Sequence, residues 1–231
     1  MRLKKLAALA LAAFVPLAGC AEVTGSAAPF RFANMPVLDA AAAPALPRLK
    51  WADRPDGPEW TVATMNALGS HGAALPQIVP ADIEAWCPGY EDASEIDRRA
   101  FWAGLISTLA YYESTHRETA VGGGGKWFGL TQILPSTARG HGCAARTGDA
   151  LKDGSANLAC AVRIMAHTVS RDGVVARGMR GVAADWGPFH SRQKREAMRS
   201  WISAQPYCQP RPTVLASVLG GSRPAPRPED G

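Results

Sequence analysis

The stretch Ile96–Ser114, IDRRAFWAGLISTLAYYES, decides the fold class of this chain. Phe101, Leu105, Leu109 and Tyr112 recur at steps of four, four and three residues, the spacing of one face of an α-helix. No convincing alternation of apolar and polar residues, the mark of a half-buried strand, occurs on either side of it. The stretch ends on Glu113 and Ser114, a carboxylate preceded by two aromatic residues, Tyr111 and Tyr112.

Working outward, Thr61–Leu68 and Pro80–Trp86 read as short helices. Asp153 followed by Gly154, Ser155 and Ala156 opens another, with Leu158, Val162, Met165 and Val169 on its apolar face and Asp172–Gly173 closing it. Ser191–Ala204 reads as a basic helix that turns Met198, Trp201 and Ile202 inward, with Arg192, Lys194, Arg195 and Arg199 on a solvated face. Together these predict an all-α fold, one compact domain over residues 60–208.

The flanks differ in character. Residues 20–59 carry Pro29, Pro36, Pro44, Pro47, Pro55 and Pro58 and no hydrophobic period. Proline forbids a long helix there, so the segment is expected to be a semi-extended tether reaching roughly 100 Å at most. Residues 209–231 are rich in Pro, Arg and Gly and are expected to be a disordered tail. At the start, Arg2, Lys4 and Lys5 precede an apolar run from Leu6 to Leu17. That pattern is a signal peptide over residues 1–19, too short to span a bilayer as a stable helix. The ending Leu17-Ala18-Gly19-Cys20 resembles a bacterial lipobox, in which Cys20 is lipidated; a plain secretory signal is the alternative. Ala21 after Cys20 resembles lipoproteins sent to an outer membrane, where the host has two membranes.

Charge and cysteine content agree with export. The chain has 231 residues, 47% hydrophobic and 19% charged, with a formal charge of +5, which excludes a charge-rich disordered protein. Three of its positive charges leave with residues 1–19, and +2 remains. No nucleic-acid footprint is left, so no nucleic-acid partner is expected. Beyond Cys20 stand Cys87, Cys143, Cys160 and Cys208, an even number suited to an oxidising compartment. Three connectivities are open; Cys143–Cys160 and Cys87–Cys208 are expected. No Cys/His spacing fits a metal site, and neither metal nor cofactor is expected.

Glu113 is the candidate catalytic group. A carboxyl beside apolar rings has its charged form disfavoured, and a protonated Glu near neutrality suits a general acid for glycosidic cleavage. A solvated helix-end Glu is the alternative on composition alone. Sixteen residues later comes Gly129-Leu130-Thr131-Gln132-Ile133, and Ser155-Ala156-Asn157-Leu158 opens a later helix. These three motifs, in this order and near this spacing, resemble the lytic transglycosylase SLT domain, a lysozyme-like fold related to goose-type lysozyme. The resemblance covers about Ile96 to Trp186.

The resemblance implies a lysozyme-like fold, with Glu113 as the catalytic acid/base and Ser114 as its supporting neighbour. It implies that Gly129, Leu130, Thr131 and Gln132 line the sugar cleft, although Leu130 also reads as core. Trp127 and Phe128 are either a stacking platform or core aromatics. Where many members carry a Tyr-Asn pair, this chain has Asp185-Trp186, which leaves one wall of the site open to question. The implied reaction cleaves the β-1,4 bond between N-acetylmuramic acid and N-acetylglucosamine of peptidoglycan and leaves 1,6-anhydro-muramoyl ends. A lysozyme-type hydrolase and a catalytically weakened cell-wall-binding or assembly protein are the alternatives. The implied setting is an exported lipoprotein anchored to a membrane and facing the periplasm.

Other features carry less. Glu118 and Asp185 are the two candidate partners for Glu113. Gly122–Gly125 reads as a flexible loop or as a lid beside the cleft, and Trp127 stands where a phosphate loop requires Ser or Thr. His116 reads as a surface residue. The basic helix face has contact with acidic stem peptides or anionic lipid as its lesser alternative.

Overall fold

The computed structural model of the chain describes residues 45–211. The signal segment, Cys20, the tether through Pro44 and the tail beyond Arg211 lie outside the described residues. Within them the all-α expectation holds. Five α-helices are joined by short three-ten turns and one two-stranded hairpin.

Helix α2, Glu95–Ser114, runs through the centre. Ser94 caps it by accepting from the Asp97 N–H at 3.2 Å, and Glu95 and Asp97 place negative charge at the positive end of its dipole. The expected single apolar face is too narrow a description. Every residue from Ala100 to Ala110 is buried, because α1 (Gly57–Leu68), α5 (Arg192–Ser203) and the flanking turns surround the helix. Small residues admit these neighbours; a Cβ at Gly104 would collide with the Tyr207 hydroxyl.

The folded region begins before residue 60. Leu49 and Trp51 are buried, Trp51 Nε1 donates to Thr61 Oγ1 at 2.9 Å, and the Lys50 N–H donates to Ser107 Oγ at 3.1 Å. From Leu49 on, the segment is therefore packed structure rather than tether. The prolines misled because Pro58 occupies the first turn of α1, where a missing N–H breaks no helical bond. Pro80–Trp86 is no α-helix either; only the three-ten turns Leu75–Gln77 and Ile83–Ala85 form in that region.

Helix α4, Gly154–Asp172, packs along α1. Asp153 Oδ1 accepts from the Ala156 N–H at 2.7 Å, and Gly173 ends the helix with φ +65°. Leu158, Val162, Met165 and Val169 are buried as expected. Helix α5 buries Met198 and Ile202, but its basic residues are not simply solvated. Arg195 donates to the Phe189 carbonyl at 2.8 Å, and the Arg199 guanidinium lies 4.9 Å from the Trp86 ring centroid.

The hairpin pairs β1, Val121–Gly122, with β2, Trp127–Phe128, antiparallel. Its turn is the glycine run, with φ between +57° and +89° at Gly123, Gly124 and Gly125. Strands of two residues are too short to show a period, so the sequence hides them. After the hairpin comes the short helix α3, Pro135–Gly140.

Two disulfides brace the fold. Cys87–Cys208 ties the early turns to the last one across 121 residues, and Cys143–Cys160 ties the loop after α3 to α4 across 17. Loop closure makes the first worth about 4–5 kcal/mol and the second about 3 kcal/mol in the chain-entropy model.

Candidate active site

Glu113 sits in the last turn of α2, which ends as Thr115 adopts the left-handed conformation (φ +53°). The chain then turns back through His116. That residue is buried, not superficial: a ring nitrogen bonds the Ser107 carbonyl at 2.9 Å, and the ring lies edge-on to Trp51. Ser114 is buried as well. Its hydroxyl donates to the Ala110 carbonyl and accepts from the Arg117 N–H, so it fixes the helix end rather than facing the cleft.

Glu113 opens into a cleft of about 370 Å³ lined by Tyr112, Trp127, Gln132, Asp185, Trp186 and Lys194, with Gly187 and Pro188 at its margin. Burial pushes the Glu113 carboxyl up to about 7, against the opposing pull of the Lys194 ammonium. Its place at the negative end of the α2 dipole acts in the same direction as burial. The group is thus poised to be protonated near neutrality, as a general acid must be.

The wall opposite is built by the hairpin and the loop after it. Trp127 is 43% exposed, which leaves a ring face for a ligand rather than for the core. The glycine turn makes room for it: a Cβ at Gly123 would strike the Trp127 ring, and one at Gly122 would strike Gln132 Oε1. These glycines therefore cradle two cleft residues, a role that neither the flexible-loop nor the lid reading includes. Gln132 has φ +51°, an uncommon conformation for a side-chain-bearing residue. Its Nε2 donates to the carbonyls of Ala120 (3.2 Å) and Gly129 (2.9 Å). That leaves Oε1 as an acceptor.

Behind this wall stand the residues expected to line the cleft that do not reach it. Leu130 and Thr131 are fully buried, and Phe128 packs against the core with Lys152 over its ring. Gly129, with φ +80°, lies so close to the Leu151 carbonyl and the Asn157 amide that a Cβ would collide with both. Asn157 is the buried clamp of the loop. It accepts from the Thr131 N–H (3.0 Å) and hydroxyl (2.7 Å) and donates to the carbonyls of Phe128 and Leu151, both at 3.0 Å.

Trp186 closes the third side. It is almost wholly buried, and its Nε1 donates to the Thr131 carbonyl at 2.9 Å, which locks it to the same loop. Of the two candidate partners of Glu113, Asp185 lines the cleft and Glu118 does not. Glu118 Oε2 accepts from the Gly154 N–H at 3.1 Å, capping α4. Lys194 is the cleft residue that sequence reasoning missed. In sequence it lies among Arg192, Arg195 and Arg199 and reads with them as solvated, but its spacing of four and seven residues puts it on the face of Met198 and Trp201. Packing of α5 brings it over Tyr112, at 5.9 Å from the ring centroid.

Residues 93–184 match the family model described as Transglycosylase SLT domain. The resemblance drawn from the three motifs is thus shown over that span. Among solved structures, DslA in its wild-type form 2 superposes with a TM-score of 0.65 at 27% identity, over 71% of this chain and 100% of that one. Two DslA mutants, each with a glutamate changed to glutamine, superpose with the same TM-score and coverage at 27% and 26% identity. No curated protein matches the chain. Residues 93–184 are thus similar to the transglycosylase SLT domain, and the chain is similar in fold to DslA.

Proposed function

We propose that this chain is a murein lytic transglycosylase that cleaves the β-1,4 bond between N-acetylmuramic acid and N-acetylglucosamine. The observation that carries the reading is Glu113, a carboxyl held up to about 7 in a cleft walled by Trp127 and Gln132. Protonated Glu113 donates its proton to the leaving glycosidic oxygen. As a carboxylate it then takes the proton of the muramoyl C6 hydroxyl, whose oxygen attacks the anomeric carbon and closes the 1,6-anhydro ring. Trp127 offers a face for a sugar ring, and Gln132 Oε1 an acceptor for an acetamido N–H.

Asp185 supports a second reading, a hydrolase in which it activates water, because it shares the cleft with Glu113. Against this, Asp185 stands where the cleft meets the neighbouring hollows and also lines the one that holds His141 and His167. That placement at the margin favours the single-carboxylate route. The segment 1–19 and Cys20 fit an exported, lipid-anchored form facing the periplasm. Glu113→Gln tests the catalytic assignment: the full chain clears a suspension of purified sacculi, and the variant leaves it turbid while still sedimenting with them. Clearing at the wild-type rate by the variant would overturn the assignment.

A further inference from the structure

The cleft does not end at Trp186. A cavity of about 730 Å³ lies next to it and is lined by Arg163, His141, His167, His71, Thr137 and Asp185. A narrow hollow of about 70 Å³ joins the two. It shares Trp127, Gln132, Asp185 and Trp186 with the cleft, and Thr137 and Asp185 with the large cavity. Asp185 lines all three and so marks their junction. One groove runs from Glu113 to Arg163.

The two ends of the groove differ in chemistry. Around Glu113 are the aromatic face and amide that suit a sugar. The far end has no Trp, Tyr or Phe and is cationic or protonatable instead. Arg163, on α4, has no hydrogen bond or ion pair among the described residues, although a guanidinium offers five donors. His141 and His167 stack edge to face with centroids 5.2 Å apart, and neither ring has another bonded partner there. His71 is held by the Ala159 carbonyl at 2.9 Å. The one acid, Asp185, stands at the junction end. The set does not fit a metal, since no three His, Cys, Asp or Glu among the described residues are grouped to hold one.

We infer that the far cavity is a carboxylate subsite that takes the acidic stem peptide borne by the glycan strand in the Glu113 cleft. The inference rests on the proposed peptidoglycan reading. Continuity supplies the occupant, because a substituent of a strand seated at Glu113 has this hollow beside it. Arg163 supplies the bidentate geometry that a peptide carboxylate fits, and the two imidazoles supply further donors.

The test uses stem peptides released from sacculi by an amidase, titrated into the full chain while the ring signals of His141 and His167 are followed by NMR. Saturable shifts are expected, with at least about tenfold weaker binding for carboxyl-methylated peptides and for Arg163→Gln. Inorganic phosphate at the same concentration is expected to leave the signals in place. Silent histidines, equal binding of the methylated peptides, or the same response to phosphate would overturn the inference. In turnover, Arg163→Gln raises KM on peptide-bearing strands and leaves kinetics on peptide-stripped strands unchanged; equal effects on both would also overturn it. Failure of the two readings is distinguishable. A chain that binds stem peptides but never cleaves sacculi contradicts the proposed function alone, and one that cleaves with silent histidines contradicts this inference alone.

Discussion

Asn157 Oδ1 accepts two hydrogen bonds from a single residue, Thr131, one from its N–H at 3.0 Å and one from its hydroxyl at 2.7 Å. Through that pair α4 fixes the loop that presents Gln132 and receives the Trp186 indole on the Thr131 carbonyl. The cleft is therefore shaped from behind, by a buried amide that never meets the ligand.

Asn157→Ala strips the partner from three buried groups at once, the Thr131 N–H, the Thr131 hydroxyl and the Leu151 carbonyl, while the Phe128 carbonyl keeps the Ile133 N–H. Leaving the three unpaired costs about 3 kcal/mol or more. Asn157→Asp keeps the acceptor but loses both donations to the Phe128 and Leu151 carbonyls. Both variants are expected to unfold at lower denaturant concentration, which urea titration followed by circular dichroism measures.

Lys194 acts on the acid itself. Its ammonium opposes the effect of burial on Glu113, so Lys194→Met raises the Glu113 pKa further. Since the protonated form starts the reaction, the fall in kcat/KM on the alkaline side moves to higher pH. The pH profile of sacculus digestion measures this, and an unmoved limb would remove Lys194 from the cleft's electrostatics.

Glu113 also leaves a mark on stability. Its ordinary value is 4.5 and its folded value about 7, so the folded chain binds the proton more tightly. The corresponding stability is present below pH 4.5, falls as pH rises, and is gone above 7. Glu113→Gln lacks this loss. Relative to the wild type it gains on the order of 2 kcal/mol between pH 4 and pH 8, a figure already discounted for partial exposure. Thermal melts at the two pH values compare the pair, and the gap is expected at pH 8 only.

The anchor is tested apart from the domain. Cys20→Ser is expected to move the protein from the membrane fraction to the soluble fraction of the expressing cell. Continued membrane retention would contradict lipidation at that position.

Much of this was legible in the sequence, and the reasons for the rest are physical. The periods of α2 and α4 are long enough to declare themselves, and Asp153 and Gly173 mark the ends of α4 with cap chemistry. Glu113 and Gln132 stand out because each sits in a short motif, Glu113-Ser114 and Gly129-Leu130-Thr131-Gln132-Ile133, whose order and spacing can be read directly. The two-residue strands of the hairpin have no period to show. Trp51 and His116 are buried by segments far away in the chain, so nothing local reveals it. Lys194 enters the cleft through the placement of α5, and Ser114 and Thr131 turn away from it through hydrogen bonds that spacing does not encode. Proline misled at the start of α1, where its ring suits the first turn.

The most direct test of the central claim is the chemistry of the products. Purified sacculi digested by the full chain, then resolved by mass spectrometry, are expected to yield muropeptides ending in 1,6-anhydro-muramoyl residues, and none above background with Glu113→Gln. Reducing muramoyl ends in place of anhydro ends would contradict the account and point to Asp185-assisted hydrolysis.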